Sequence, residues 1–356
     1  MRQLSQIYLV LLLLTGLQGC TTIGYYGQAV GGHLSLMMRG QPVQSLEDHP
    51  HTDPELKRKL AVAESARRFA RDTLQLPVGN AFTKYVELDR PWVVVNLVAV
   101  PEFDLAPHQW CYPVVGCQAY RGYFNLERAR KEQSRFTKRG YDTFIGAVTA
   151  YSTLGWFNDP LHTGFTNLPE DRMVALIFHE LAHRVVYIKE DTVFNESFAT
   201  AVELEGLKLW LEQENSTAGF EQSLLRLEHR NRTLELVDRT SARLTKLYAQ
   251  QDRMDVDVLR QRKASALDEL ARQYATLAGE YPEPGPFGPP PVQLNNANIA
   301  LFQQYNQHVP AFRQLLRDNG QDFGRFYQAV EELSRQAPAE REQQLTALSK
   351  RFVEHF

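Results

Sequence analysis

One predicted helix constrains this chain more than any other feature, because it places two imidazoles on one face. Residues 168–188 have the sequence LPEDRMVALIFHELAHRVVYI, with apolar side chains at helical spacing, a proline at the entry and acidic residues in the first turn. His179 and His183 lie four residues apart, so they share a face and can bind the same ion. The segment therefore predicts a metal site on a helix that is otherwise suited to burial.

Further acidic residues extend this pattern to a complete metal site. Glu180 completes the motif HExxH, in which the glutamate reaches a water on the ion instead of binding the ion. A catalytic zinc needs three protein ligands and one open position, and Glu196 can supply the third ligand from a second predicted helix, from about Phe194 to Leu211. Glu203, two turns further, could hydrogen-bond the outer nitrogen of a ligand histidine, with Asp191 as a weaker candidate. We therefore expect one Zn²⁺ ion, and the alternative is a pair of helices with charged surfaces.

Two histidine ligands beside a glutamate are the arrangement of zinc peptidases. In such a site Glu180 takes a proton from the zinc-activated water and delivers it to the leaving amine. The sequence offers three tyrosines as donors that could stabilise the oxyanion: Tyr151, Tyr187 and Tyr305. Each of them could equally be a packed aromatic residue. The predicted strand through Ala147–Thr153 could pair with an extended peptide substrate, and Trp156 could line its pocket, although a core strand followed by a core turn is the alternative.

The first residues predict the compartment. An apolar run of about 14 residues follows Arg2, which is too short to cross a bilayer but has the length of a secretory signal. The run ends in Leu17-Gln18-Gly19-Cys20, the bacterial lipobox, so we expect removal of residues 1–19 and a lipid on Cys20. Thr21 in place of an aspartate favours the outer membrane, with the protein anchored on its periplasmic face. An ordinary cleaved signal is the alternative.

Two cysteines other than Cys20 are present. Cys111 and Cys117 flank a turn with proline and glycine, and in an oxidising periplasm such a pair can form a disulfide. Metal ligation and free thiols are the alternatives, although a zinc thiolate site usually has a second pair.

Strand-like segments precede the helices, so we predict an α+β, helix-rich fold. The β-branched segment 91–100 predicts a buried strand, and 143–157 predicts a second strand that runs into a loop. We expect the following segments: a signal peptide at 1–19, a Gly-rich tether at 20–50, a catalytic domain at 51–212, a helical hairpin at 213–280, a proline-rich connector at 281–292 and C-terminal helices at 293–356 that pack on the catalytic body. The net charge of −3 gives no reason to expect nucleic acid as a partner.

Several of these segments together resemble a known family. The quoted stretches FHELAH, DTVFNESFAT, AYSTLGWFNDPL, WCYPVVGCQAYRGYF and LNNANIALFQQYNQHVPAF are similar to the zinc aminopeptidase family of bacterial lipoproteins. NESFA is also similar to the Asn-Glu-Gly-Phe-Ala stretch of the gluzincin aminopeptidases, whose glutamate is the third zinc ligand. The resemblance implies a zincin-like catalytic body, Glu196 as a ligand and peptides as substrates.

Two features depart from the gluzincin pattern. Glu196 follows His183 by fewer residues than the third ligand does in those enzymes, and the sequence has no Gly-x-Met-Glu-Asn segment to bind a free amino terminus. Asp159 or Glu127 could pair with the substrate ammonium group instead, and either could be a surface charge. The leading prediction is a zinc aminopeptidase in the periplasm, and two rival functions remain. One is an endopeptidase that acts on envelope proteins or peptides, and the other is an envelope scaffold with a structural metal, whose hairpin binds a protein partner.

Overall fold

Helices dominate the described part of the chain. The computed structural model describes residues 24–112, 116–148, 158–214, 218–302 and 308–353. The helices are α1 (24–38), α2 (Val43–Asp48), α3 (Pro54–Asp72), α4 (Leu126–Thr137), α5 (Thr163–Thr166), α6 (Glu170–Ala182), α7 (Thr192–Gln213), α8 (Ala218–Tyr248), α9 (Val256–Ala278), α10 (Asn296–Phe302), α11 (Val309–Asp318), α12 (Phe323–Ser334) and α13 (Pro338–Arg351). The strands are β1 (Gln41–Pro42), β2 (Lys84–Val86), β3 (Val94–Pro101), β4 (Trp110–Tyr112), β5 (Gly116–Gln118), β6 (Arg121–Tyr123), β7 (Tyr141–Val148) and β8 (Leu161–His162). The predicted α+β, helix-rich fold is confirmed.

The described strands form three small sheets. The first has the order β6-β3-β7, with all neighbours antiparallel, so the predicted strand at 91–100 is its central strand. The second has the order β1-β2-β8, in which β2 and β8 are parallel. The third pairs β4 with β5, and a disulfide joins their facing residues Cys111 and Cys117, whose Cα atoms are 3.9 Å apart. The predicted second strand ends at Val148, and its continuation at 149–157 lies outside the described residues.

The main hydrophobic core surrounds α6 and α7. Apolar side chains from α3, α11, α12 and α13 also pack into it. Gly206 on α7 lies at the closest approach of the two central helices, since a Cβ atom there would come within 3.0 Å of the Phe178 ring on α6 and 2.7 Å of Leu74. A glycine at this crossing therefore allows α7 to lie directly against α6, and this brings the side chains of both helices together.

A buried ion pair ties the C-terminal helices to this core. Arg313 on α11 donates to Glu205 on α7 at 2.6 Å, and both side chains are almost fully buried. The Tyr327 hydroxyl on α12 donates to the Leu74 carbonyl at 2.8 Å. The residues after 308 thus help to hold α7 in place.

Helices α8 and α9 pack against each other as a long hairpin with its own core. The proline-rich segment 281–292 does not extend as a stiff spacer, because its aromatic residues insert into this hairpin. Tyr281 stacks on His229 with ring centroids 4.2 Å apart, and the Phe287 ring packs edge-on against the Tyr274 ring with centroids 5.2 Å apart. The segment therefore belongs to the packed structure.

The N-terminal segment also differs from the predicted tether. Residues 24–38 form α1, and residues 43–48 form α2. The Gln28 side chain donates to the Gly122 carbonyl and accepts from the Phe124 amide, so it pairs with the open edge of β6. Leu36 is buried against residues of β2 and β3. These tertiary contacts order a stretch whose glycine content had favoured a flexible tether. Cys20 lies outside the described residues, and none of the described helices is both long and apolar enough to cross a bilayer.

Candidate metal centre

The helix that carries HExxH is shorter than its apolar pattern predicts. Helix α6 ends at Ala182, with His183 as its C-cap, whereas the sequence predicted a helix to Ile188. The amides of Arg184 and Val185 bind carbonyls three residues back, which tightens the last turn. The apolar residues that follow pack against the core without helical geometry, so periodicity alone placed the end too late. His179 and His183 both stay in the last two turns.

The connector between α6 and α7 is held by two side chains. Asn195 uses its amide group twice on Ile188, accepting from the backbone N–H at 2.8 Å and donating to the C=O at 2.7 Å. Asp191 caps the start of α7 by accepting from the Phe194 amide, and it forms an ion pair of 2.6 Å with Arg341 on α13. Asp191 therefore has a structural contact in place of the weaker candidate role beside a histidine. These contacts fix the position of Glu196, which lies in the first turns of α7.

Three side chains converge between α6 and α7. The His179 Nε2 atom lies 3.3 Å from one carboxylate oxygen of Glu196, and the His183 Nε2 atom lies 3.7 Å from the other. The candidate ligand atoms of the three residues all lie within 4.8 Å of one another. The two imidazole rings have centroids 4.9 Å apart and are nearly perpendicular, at 81°. Among the described residues, the search for three or more His, Cys, Asp or Glu side chains spaced to bind one metal ion identifies this group.

Glu203 orients the first histidine. Its carboxylate lies 2.9 Å from the Nδ1 atom of His179, so the Nε2 atom is turned towards Glu196 and His183. The sequence placed Glu203 two turns beyond Glu196, and the geometry agrees with that spacing. A carboxylate on the outer nitrogen of a ligand histidine fixes the tautomer and raises the basicity of the ligand.

The pKa values of the three residues fit a cation site. Burial opposes the charged form of His179, but Glu196 and Glu203 outweigh burial and raise its pKa well above the ordinary value. Burial, together with the charge of His179, lowers the pKa of His183 to about 4. Burial disfavours the Glu196 carboxylate, yet the two histidines outweigh it and lower the pKa of Glu196. His179 is thus positively charged between the Glu196 and Glu203 carboxylates, beside a neutral His183, and a bound metal would take the place of the His179 proton.

The donor set fits zinc. Two imidazole nitrogens and one carboxylate oxygen are ligands that Zn²⁺ prefers in catalytic sites. Tetrahedral bonds of about 2.0–2.1 Å place neighbouring ligand atoms roughly 3.3 Å apart, close to the His179–Glu196 distance. The Nδ1 atom of His183 is buried with no hydrogen-bond partner among the described residues. The three residues present can therefore hold one zinc ion once the widest separation of their ligand atoms, which is at most 4.8 Å, closes by up to about 1.5 Å.

The other predicted site residues fall into two groups. Glu180 is half-buried on α6 and follows His179 in the chain. Burial together with the charge of Glu196 raises the pKa of Tyr187, so this tyrosine lies within electrostatic reach of the candidate ligands. Tyr187 is also 47% exposed, which leaves its ring open to solvent. The remaining candidates lie outside the described residues: Tyr151, Trp156 and Tyr305.

The two acids suggested for an ammonium group have the following contacts. Glu127 is exposed in the first turn of α4 and pairs with Arg130 at 3.0 Å. Asp159 is buried, and its charge acts on His33 of α1.

One residue near the cluster had no signal in the sequence. Arg230 lies on α8, in the stretch predicted as a helical hairpin, and its charge helps to lower the pKa of Glu196. Its guanidinium also lies over the Phe302 ring, at 5.5 Å from the centroid. An arginine in a Glu- and Arg-rich helix is ordinarily a surface charge, so only the tertiary packing of α8 reveals its proximity to the site.

Comparison with known proteins assigns the chain to a family. Residues 24–345 match the sequence profile of a family described as "Putative aminopeptidase". The chain belongs to this family. The match covers α1 through most of α13 and includes the three candidate metal ligands, His179, His183 and Glu196. Membership indicates a peptidase in general terms. No curated protein and no solved structure gives a significant match.

Proposed function

We propose that the protein is a zinc-dependent aminopeptidase with a zincin-like body, anchored to the bacterial outer membrane through Cys20. The convergence of His179, His183 and Glu196 within 4.8 Å carries this proposal, because two helices are held together to produce it. The orientation of His179 by Glu203 supports it further. Family membership supports the peptidase activity.

The residues of the chain have distinct roles in the proposed reaction. A bound zinc ion supplies a Lewis acid that polarises the scissile carbonyl and lowers the pKa of a water towards about 7. Glu180 accepts a proton from the attacking water and returns it to the nitrogen of the leaving amine when the peptide bond breaks. We propose Tyr187 and Arg230 as donors to the oxyanion, because Tyr187 feels the charge of Glu196 and Arg230 acts on that charge in turn.

The edge strand β7 is a candidate platform for the substrate backbone. It pairs with β3 on one side and has no strand partner on the other among the described residues. Asn295 already binds the Thr143 carbonyl on that strand, so a peptide would add beyond this point, towards Val148.

Two measurements test this function. Metal analysis of purified protein should give one zinc ion per chain, and a chelator should abolish cleavage of fluorogenic amino-acid amides, with recovery on addition of zinc. Peptides with free and with blocked amino termini then separate the two kinds of peptidase. Equal cleavage of both would contradict the aminopeptidase and favour an endopeptidase.

A matched pair of variants tests the mechanism. Glu180→Gln should keep zinc but lose about 10²–10⁴-fold in kcat, because the amide cannot act as a base. Glu212→Gln, an exposed residue on α7, removes the same charge away from the cluster and should leave kcat unchanged. Full turnover by Glu180→Gln would remove Glu180 from the mechanism, whereas absence of turnover in the zinc-loaded natural chain would favour a scaffold with a structural metal.

A further inference from the structure

Helix α1 exposes an apolar stripe. Tyr26, Val30, Leu34 and Met38 follow one another at intervals of four residues, so they lie along one face of the helix. Their exposed fractions are 36%, 55%, 51% and 79%. The other exposed large apolar side chains of the described residues are spread over four other segments: Tyr187, Leu225, Val256, Val258 and Val353. A continuous apolar stripe of this kind marks a contact surface.

The rest of the helix offers no charge to solvate this face. Residues 24–38 contain no Asp, Glu, Lys or Arg, and the exposed positions between the stripe residues are glycine or serine: Gly27, Gly31 and Ser35. An amphipathic helix on a water-exposed surface ordinarily carries charged residues on its outer face. In α1 the outer face is apolar while the inner face is already packed, so the helix is suited to a second apolar environment.

The inner face of α1 is fixed to the protein. Gln28 pairs with the edge of β6, Tyr25 stacks on Tyr112 at 5.3 Å, and Leu36 is buried. A Cβ atom at Gly32 would lie 2.3 Å from the Phe124 ring, so this glycine allows the helix to approach the sheet. The stripe therefore cannot turn inwards, and whatever covers it must come from outside the described structure.

The distance along the chain to Cys20 identifies the occupant. Tyr26 follows Cys20 by six residues, which reach at most about 22 Å even when fully extended. The 15 residues of α1 measure roughly 22 Å, too short to cross a hydrocarbon core of about 30 Å. A helix of this length beside a lipid anchor can instead lie in the interface, with its apolar face about 5–10 Å deep.

We propose that α1 is an interfacial helix that inserts Tyr26, Val30, Leu34 and Met38 into the phospholipid surface. This inference rests on the proposed lipid anchor. A lipid alone leaves a protein free to rotate about its tether, whereas a second contact through α1, which is packed on the β6-β3-β7 sheet, fixes which side of the catalytic body faces the membrane. The helix also adds a second membrane contact to the lipid chains.

The test uses the lipidated full chain in phospholipid vesicles. Leu34→Cys and Val30→Cys each receive an environment-sensitive fluorophore, and Ser265→Cys, an exposed serine on α9, is the matched control. The Cys111–Cys117 disulfide leaves the introduced cysteine as the reactive thiol once Cys20 is acylated. Circular dichroism checks the fold of each labelled chain, and mass spectrometry checks the lipid on Cys20.

The expected result is a blue-shifted emission at positions 30 and 34. A quencher attached to the acyl chain near the headgroup should reduce this emission more than one near the terminal methyl group, and the Ser265 position should respond to neither. Emission at Leu34 equal to that at Ser265 would overturn the proposal, because it would show that the stripe stays in water beside the phospholipid. Quenching of all three positions would also overturn it. An unmodified Cys20 would remove the anchor and this inference together, and would be seen by mass spectrometry before any fluorescence is recorded.

Discussion

Replacement of Glu203 by alanine tests how far the proposed zinc site depends on residues that are not proposed as ligands. The carboxylate of Glu203 lies 2.9 Å from the Nδ1 atom of His179 and is about one-third exposed, at 30%. Without it, His179 loses the group that fixes its tautomer and directs its Nε2 atom towards Glu196 and His183. We therefore expect zinc to bind more weakly, with the fold unchanged.

The size of the effect follows from the contact. A hydrogen bond to a charged group contributes about 1.5–3 kcal/mol when it is buried. Partial exposure of Glu203 places the value near the lower limit, at roughly 1.4 kcal/mol, which is a tenfold change in dissociation constant. This lies at the low end of the 10–100-fold loss of affinity that is typical when such a carboxylate is removed.

Competition with a chromophoric chelator measures the zinc affinity of Glu203→Ala. Glu212→Ala is the control, because Glu212 is an exposed glutamate on the same helix and does not touch the histidines. We expect the zinc affinity of Glu203→Ala to be about tenfold weaker than that of the natural chain, and the zinc affinity of the control to be unchanged. Affinities of the two variants that agree within twofold would refute the role of Glu203.

Three further predictions concern stability. Burial lowers the pKa of His162 from 6.5 to about 3, so between these pH values the unfolded chain binds one more proton than the folded chain, and the free energy of unfolding decreases by about 2 kcal/mol as the pH is lowered from 7 to 5. Urea unfolding of His162→Asn, with a chelator present, should show a correspondingly smaller decrease over the same pH range. The same pH dependence in His162→Asn and the natural chain would contradict this prediction. Glu205→Gln removes the carboxylate of the buried Arg313–Glu205 ion pair and should lower the free energy of unfolding by about 3–5 kcal/mol, whereas replacing both residues by methionine should recover most of it. The double serine variant of Cys111 and Cys117 should lose about 2 kcal/mol, as expected for a short loop, and a reductant should reproduce this loss in the natural chain.

The parts of the site that depend on local spacing could be predicted from the sequence. Because His179 and His183 lie four residues apart, they share one face of α6. Because Glu196 and Glu203 lie two turns apart, they share one face of α7. Apolar periodicity also located β3 and both central helices. These features follow from the geometry of one element, or from two elements joined by a short connector.

The rest depends on contacts between distant parts of the chain. Arg230 comes to the cluster through the packing of α8, and Arg341 reaches Asp191 across 150 residues. Nothing in their local sequence distinguishes them from surface charges. Helix α1 was missed because its glycines lower helix propensity, while Gln28 and Leu36 stabilise it through the sheet. The end of α6 was misplaced because apolar residues can pack equally well from a turn.

X-ray absorption at the zinc edge of the zinc-loaded protein tests the central claim most directly. We predict one zinc ion per chain with nitrogen and oxygen ligands at about 2.0–2.1 Å, with outer-shell scattering from two imidazole rings, and outer-shell scattering from only one imidazole ring in His183→Ala. A spectrum with sulfur at about 2.3 Å, or an unchanged spectrum in that variant, would contradict the assignment of His179, His183 and Glu196 as a shared metal site.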